Sequence, residues 1–200
     1  TVWRDNRPVY QLLTIPIVVE KGPVDPCSVH RWRYSRSLAG TFAAMLRVAI
    51  IGGGPAGMIA ADRLADTFEV DLYEQGRTLG RKFLVAGDGG LNITTSQEGE
   101  ALRTWYAPSA WMDPMLDAFG PPELRAWLQD LGIPTFIGSS GRVFPERGIK
   151  PAEVLKAITT RLQNKGVRVH LEHRFIGFDP AARPLMEHTG KTFGVQADHM

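Results

Sequence analysis

Hydrophobic and polar positions fall into ordered runs only from Arg47 onward. "RVAII" (47–51) is a short unbroken apolar run, the pattern of a strand buried on both faces. "PAGMIAADRLAD" follows with helical spacing, and "FEVDLYEQ" predicts a second strand through Val70 and Leu72 that ends at Glu74. Further on, "SAWMDPMLDAFGPPELRAWLQDLG" predicts two short helices. In the second, Leu124, Trp127, Leu128 and Leu131 recur at i, i+3, i+4 and i+7, a core-facing stripe that Gly132 stops. "TFIGSSGRVFP" predicts a small hairpin around Ser139–Ser140–Gly141. "KPAEVLKAITTRLQNKG" is an amphipathic helix through Val154, Leu155, Ile158 and Leu162, stopped by Gly166, and "VRVHLEH" is a strand beside the first two. The remainder alternates, with turn signals at Asp179–Pro180 and Thr189–Gly190.

Residues 1–44 lack that order. They mix Pro, Arg and Trp, and Pro16 demotes "LLTIPIVVE" to an edge strand at best. The expectation is an irregular extension over 1–44 and a nucleotide-binding domain over 45–200. A native start at Met45 stays open as the alternative. Charge follows the same division. The chain carries a formal +2, with six Lys/Arg against three Asp/Glu in residues 1–44 and a net −1 in the rest. The ordered part therefore has no basic field to attract nucleic acid. No apolar run reaches the ~18 residues of a membrane helix. "RWRYSRSLAGTFAAML" has a basic then an apolar part, but it begins at Arg31 and lacks a small-x-small cleavage site. Cys27 is the only cysteine, so no internal disulfide can form, which fits a reducing, cytoplasmic setting.

Between the first strand and helix lies "GGGPAG", a G-x-G-x-x-G of Gly52, Gly54 and Gly57. Gly52 permits the tight turn out of the strand, Gly54 lets the backbone approach a pyrophosphate, and Gly57 lets the helix lie close to the sheet. Pro55 suits the first helical turn, where its missing N–H would be unpaired, and Ala56 completes that turn. The helix then aims its N-terminal amides and positive dipole end at phosphate. Glu74 stands 22 residues after Gly52, close to the ~20 expected of the acid that accepts the ribose hydroxyls. Its charge would repel a 2′-phosphate. Strand, loop, helix, strand and acid together make a strong dinucleotide signature, yet they fit NAD as well as FAD. "GRTLGRKFLVAGDGGLNITTS" (76–96) is rich in Gly, with Arg77, Arg81 and Lys82 early. Its amides and cations could cradle an anion, and a surface loop with solvated charges fits it equally.

"VAIIGGGPAGMIAA", "LGRKFLVAGDGGLNITTS" and "GSSGRVFP" together resemble the HI0933-like (BaiN-type) flavoproteins over residues 46–200. The resemblance implies an α/β fold: a Rossmann-like FAD-binding domain of the glutathione-reductase type, with a parallel sheet and a three-stranded antiparallel crossover. It implies FAD as cofactor and a chain that is the N-terminal portion of a flavoenzyme, C-terminally incomplete, holding the ADP half of the FAD site. The family's second motif usually runs L-G-R-K-x-x-x-S-G-G-G-R-C-N-x-T-N. Here Leu79, Gly80, Arg81, Lys82, Gly87, Gly89, Asn92 and Thr94 match it. Asp88, Gly90 and Leu91 stand where the family has Gly, Arg and Cys. The cofactor-binding set so implied is Gly52, Gly54, Pro55, Ala56, Gly57, Glu74, Gln75, Arg81, Lys82, Asn92, Thr94 and Phe175, the last two residues of "HRF" passing near the adenine.

No catalytic constellation is legible. His30, His170, His173, His188 and His199 show no metal spacing, and no C-x-x-C accompanies the loop. The resemblance predicts an FAD-dependent oxidoreductase of unknown small-molecule substrate, with NAD(P)H as a candidate electron donor and no nucleic-acid or membrane partner. A nicotinamide-dependent dehydrogenase and a non-catalytic nucleotide-binding module are the alternatives. "RVAII" belongs at the centre of its sheet, with "EVDLY" on one side and, by expectation, a partner from beyond Met200 on the other.

Overall fold

Four apolar residues in a row, Val48 to Ile51, need cover on both faces and partners on both edges, and β1 (Arg47–Ile51) finds them. The computed structural model describes residues 46–85, 90–106 and 112–200; the expected extension over 1–44 lies outside them, as does the side chain of Lys82. β1 pairs in parallel with β2 (Glu69–Tyr73), Val48 opposite Val70 and Ile50 opposite Leu72. β2 pairs in parallel with β6 (Arg168–His170), giving the order β1-β2-β6.

Strand alternation divides the side chains between two cores. Ile50, Val70 and Leu72 point to one face, where α1 (Pro55–Leu64), α5 (Pro121–Asp130) and α6 (Pro151–Asn164) cover them. Met58, Ala61, Trp127, Leu128, Val154, Ile158 and Leu162 fill that core, as the helical stripes predicted. Ala49 and Tyr73 point to the other face and pack on Met186 and Val195. Met186 lies in, and Val195 directly follows, the antiparallel sheet of β7 (Arg174–Phe178), β8 (Pro184–His188) and β9 (Lys191–Gly194), the expected crossover. Its second turn uses Thr189 and Gly190, both at positive φ (51° and 76°), the geometry of a tight hairpin.

A third sheet joins the other two motifs. β4 (Thr135–Ile137) and β5 (Arg142–Pro145) form the predicted hairpin, and β3 (Thr94–Thr95) adds to its far side in the order β3-β5-β4. The second Gly-rich motif and "GRVFP" are therefore one structural unit.

Two short helices were not expected, and one expectation needs correction. The stretch after Gly76 is partly helical: α2 (Arg81–Val85) follows directly on Gly80, and α3 (Gly99–Arg103) precedes the expected α4 (Asp113–Ala118). The free edge of β1 also meets a partner from within the chain. Ala49 N–H donates to the His199 carbonyl (2.9 Å), Asp198 N–H to the Arg47 carbonyl (2.9 Å), and Val48 bridges His199 in parallel. The Asp198 carboxylate accepts the Arg47 N–H at 2.7 Å. The crossover thus delivers the chain to the far edge of β1 by its last residues.

Candidate cofactor site

The phosphate loop leaves β1 at Gly52, whose φ of +106° only glycine adopts without strain. Its N–H donates to the Tyr73 carbonyl at 2.8 Å, so the turn begins while still pinned to β2. Gly54 is the N-cap of α1 and Pro55 its first residue, with Ala56 exposed beside it. Gly57 is the third residue of α1, and a Cβ there would overlap the Gly52 carbonyl oxygen. The third glycine is thus what lets the helix start against the end of the strand.

Gly54 differs. Its φ of −77° and ψ of 179° are extended backbone open to any residue. A Cβ there would meet nothing within 4 Å. Neither strain nor internal packing explains a glycine at this point. A ligand held against the backbone would explain it, on the N-terminal end of a 10-residue helix with no side-chain cap. The loop fits a pyrophosphate on this ground.

Glu74, the residue after β2, is half-buried and lies against the loop. Its Oε2 accepts the Gly53 N–H at 2.8 Å and its Oε1 the Gly76 N–H at 2.7 Å. The β2–α2 connection closes on the same loop: Gly80 N–H donates to the Gly53 carbonyl at 2.8 Å, and buried Leu79 packs over Gly53. On the far side, the β6–β7 turn is tied to the same place. His173 N–H donates to the Glu74 carbonyl (2.9 Å) and Glu172 N–H to the Gly76 carbonyl (3.0 Å). Glu172 adopts φ 59° to do so. Phe175 follows two residues later on β7, opposite Met186 and 36% exposed, its ring edge-on to Phe178 at 5.2 Å.

The structure therefore gathers Gly52, Gly54, Pro55, Ala56, Gly57 and Glu74 around one loop and brings the turn before Phe175 to it. Gln75 is exposed beside Glu74, and Arg81 is exposed at the start of α2, where Lys82 is the second residue. Asn92 is exposed before β3, and Thr94 is half-buried in β3 opposite Val143. Among the described residues, no side-chain hydrogen bond joins Arg81, Asn92 or Thr94 to the phosphate loop. Gly90 adopts φ +100° and Leu91 is a core residue, so at these two departures from the family motif the residues present serve a left-handed backbone conformation and packing.

Two clusters escaped the sequence reading. Asp62 on α1 is 1% exposed. Its carboxylate accepts the Trp127 indole N–H (2.6 Å) and the Arg161 Nε–H (2.8 Å), and Lys165 stands 3.1 Å away while donating to the Asp62 carbonyl (2.7 Å). Burial pushes the Asp62 pKa up; the Trp127 and Lys165 hydrogen bonds and the two cations outweigh it, and the carboxyl sits below its ordinary range. The second cluster is a run of rings between the two sheets. Tyr73 stacks on His170 (4.5 Å), and His173 stacks on His188 (4.2 Å) and meets Phe193 edge-on. Asp71 receives His170 at 2.7 Å and two Arg168 N–H groups; the Arg168 hydrogen bonds, against the cost of burial, hold its pKa below the usual value.

The comparisons with known proteins agree with this geometry. A family described as "HI0933-like protein Rossmann domain" matches residues 46–197. The chain belongs to the HI0933-like family. FAD is the dinucleotide of this HI0933-like domain, and the resemblance carried by its three motifs is borne out in fold and cofactor. Among curated proteins it is similar to a 3-dehydro-bile acid delta(4,6)-reductase of Clostridium scindens, 29% identical over 129 residues, which is 63% of this chain and 31% of that protein. Among solved structures it is similar to the 3-ketosteroid-delta4-(5alpha)-dehydrogenase of Rhodococcus jostii RHA1, with a TM-score of 0.50, 17% identity, and 82% and 46% of the two chains covered. The THI4 structure from Thermovibrio ammonificans gives a TM-score of 0.46 and 18% identity, over 72% and 48%. The HI0933-like chain spans about a third of the curated relative's length and about half of these structures.

Proposed function

We propose that this HI0933-like chain carries the ADP-binding half of the FAD site of an oxidoreductase. The observation that supports it most is Gly54, a glycine required by neither backbone nor packing, at the uncapped start of α1. The space at Gly54 and the α1 amides would hold the pyrophosphate, and Glu74, beside Gln75, the ribose hydroxyls. Arg81 and Lys82 would supply cations to the phosphates, Asn92 and Thr94 would complete the binding set, and the chain at Phe175 would hold the adenine. FAD supplies the hydride chemistry, and the residues of this chain bind and orient it.

The substrate is a small molecule, and NAD(P)H is the proposed electron donor. The name of the curated relative describes a reduction, in keeping with hydride passing through a flavin. A cytoplasmic setting fits the single cysteine of the chain. No helix among the described residues is long and apolar enough to cross a membrane.

Purification of the full-length protein tests this directly. One FAD per chain, released on acid precipitation and identified by chromatography, together with bleaching of the visible flavin absorbance by NADH or NADPH, is the expected result. Protein that copurifies with a nicotinamide nucleotide and takes up no FAD is a dehydrogenase of the other kind. Protein that holds FAD but is reduced by neither nucleotide rejects the donor.

A further inference from the structure

Both carboxylate oxygens of Glu74 are already engaged by backbone amides, Oε2 by Gly53 (2.8 Å) and Oε1 by Gly76 (2.7 Å). Gly53 lies inside the phosphate loop, at a position G-x-G-x-x-G leaves open. Gly76 opens the turn toward α2. The fit is close. A Cβ on Gly53 would stand 3.0 Å from the Glu74 Cβ, and one on Gly76 would stand 3.1 Å from Oε1.

We propose that Glu74 is a positioning residue for the phosphate loop: its carboxylate holds the Gly53 and Gly76 amides in binding geometry, independently of any contact with a ribose. The proposal rests on the nucleotide-binding reading above. Hydrogen-bond chemistry separates the two roles. A ribose hydroxyl both donates and accepts, so a carboxamide at position 74 satisfies a diol almost as well as a carboxylate does. A backbone amide only donates. Two of them need two acceptor oxygens, and a carboxamide has one; its NH2 would face an N–H. Glu74→Gln is therefore mild for a ribose contact and severe for this brace. The Gly53 carbonyl accepts the Gly80 N–H at 2.8 Å, so losing the Glu74 contact frees the N–H side of a residue held on both sides.

Calorimetric titration of the full chain with ADP and with 2′,3′-dideoxy-ADP, which lacks the hydroxyls, distinguishes the roles. Glu74→Gln is expected to weaken both nucleotides by a similar factor, on the order of tenfold, the scale of a lost charged hydrogen bond. Weakening confined to ADP overturns the brace and leaves Glu74 a ribose ligand only. Failure of the unaltered chain to bind either nucleotide overturns the nucleotide reading, and this proposal with it. Hydrogen exchange on the unaltered, ligand-free chain needs no variant: Gly53 and Gly76 amides protected well beyond their loop neighbours support the brace, and free exchange at both overturns it.

Discussion

Gly57 and Gly52 touch across the start of α1: a side chain on the first would fall on the carbonyl oxygen of the second. Gly54, between them in sequence, has open space where its side chain would be. On the proposed reading the motif contains glycines of opposite purpose, Gly57 for the fold and Gly54 for the ligand, and substitution separates them.

Gly57→Ala is expected to lower thermal stability, because overpacking against fixed backbone costs about 1–3 kcal/mol or more. That corresponds to roughly 2–4 °C of Tm per kcal/mol for a domain of this size. Gly54→Val is expected to leave Tm within about 2 °C while weakening FAD at least tenfold, since each charged hydrogen bond lost is worth ~1.5–3 kcal/mol. Differential scanning calorimetry and FAD titration on both variants check this. Equal loss of stability in the two would show that Gly54 is a packing residue after all.

Asp62→Ala leaves the Trp127 indole, Arg161 and Lys165 without their shared acceptor. Arg161 and Lys165 are 30% and 20% exposed and can turn toward water, which moderates the penalty. The expected loss is about 2–4 kcal/mol, below the usual cost of halving a fully buried pair. Urea unfolding followed by tryptophan fluorescence measures it. A loss under about 0.5 kcal/mol, the scale of an ordinary surface change, would mean the cluster is dispensable.

The same carboxylate predicts a pH dependence. Folding holds Asp62 below the ordinary Asp value near ~4. The folded state therefore favours the charged form. That contribution is complete above the ordinary value and is lost as pH falls through the lowered one. Asp71, also lowered, acts in the same direction. Stability is expected to fall steeply below about pH 4, and less steeply in Asp62→Asn. Parallel acid-unfolding curves for the two proteins would remove Asp62 as a cause.

Ending the chain at Ala197 removes the Asp198 and His199 partners of β1. The expected cost is about 1–3 kcal/mol, from several hydrogen bonds worth ~1 kcal/mol each. The Ala49 amide, which donates to His199, should exchange much faster. Unchanged protection there would show that the edge is covered some other way.

The strand–loop–helix–strand unit and Glu74 were legible because period and spacing agree: an unbroken apolar run, a helical stripe and an acid at the right distance leave few alternatives. The strands after β6 were legible from alternation and turn residues, and the family resemblance implied that they form a crossover. α2 and α3 were not, because helices of five residues are too short to show a 3.6-residue period. Asp62 reads as a solvent-facing polar residue of α1, and its partners Trp127, Arg161 and Lys165 lie 65, 99 and 103 residues downstream. The Glu74 brace was hidden for the opposite reason. The ligand role of the residue was expected from its spacing, and its bonds to Gly53 and Gly76 depend on loop backbone that no sequence period describes.

The pairing of Arg47 with Asp198 spans 151 positions. A ribosome adds ~5–20 residues each second, so the strand that carries the phosphate loop waits on the order of ten to thirty seconds for its second neighbour. For that interval this apolar strand of the nascent chain has a bare edge. Closing so long a loop also costs conformational entropy before any contact returns it. An unpaired apolar edge of this kind is open to pairing with the wrong strand until Asp198 and His199 arrive.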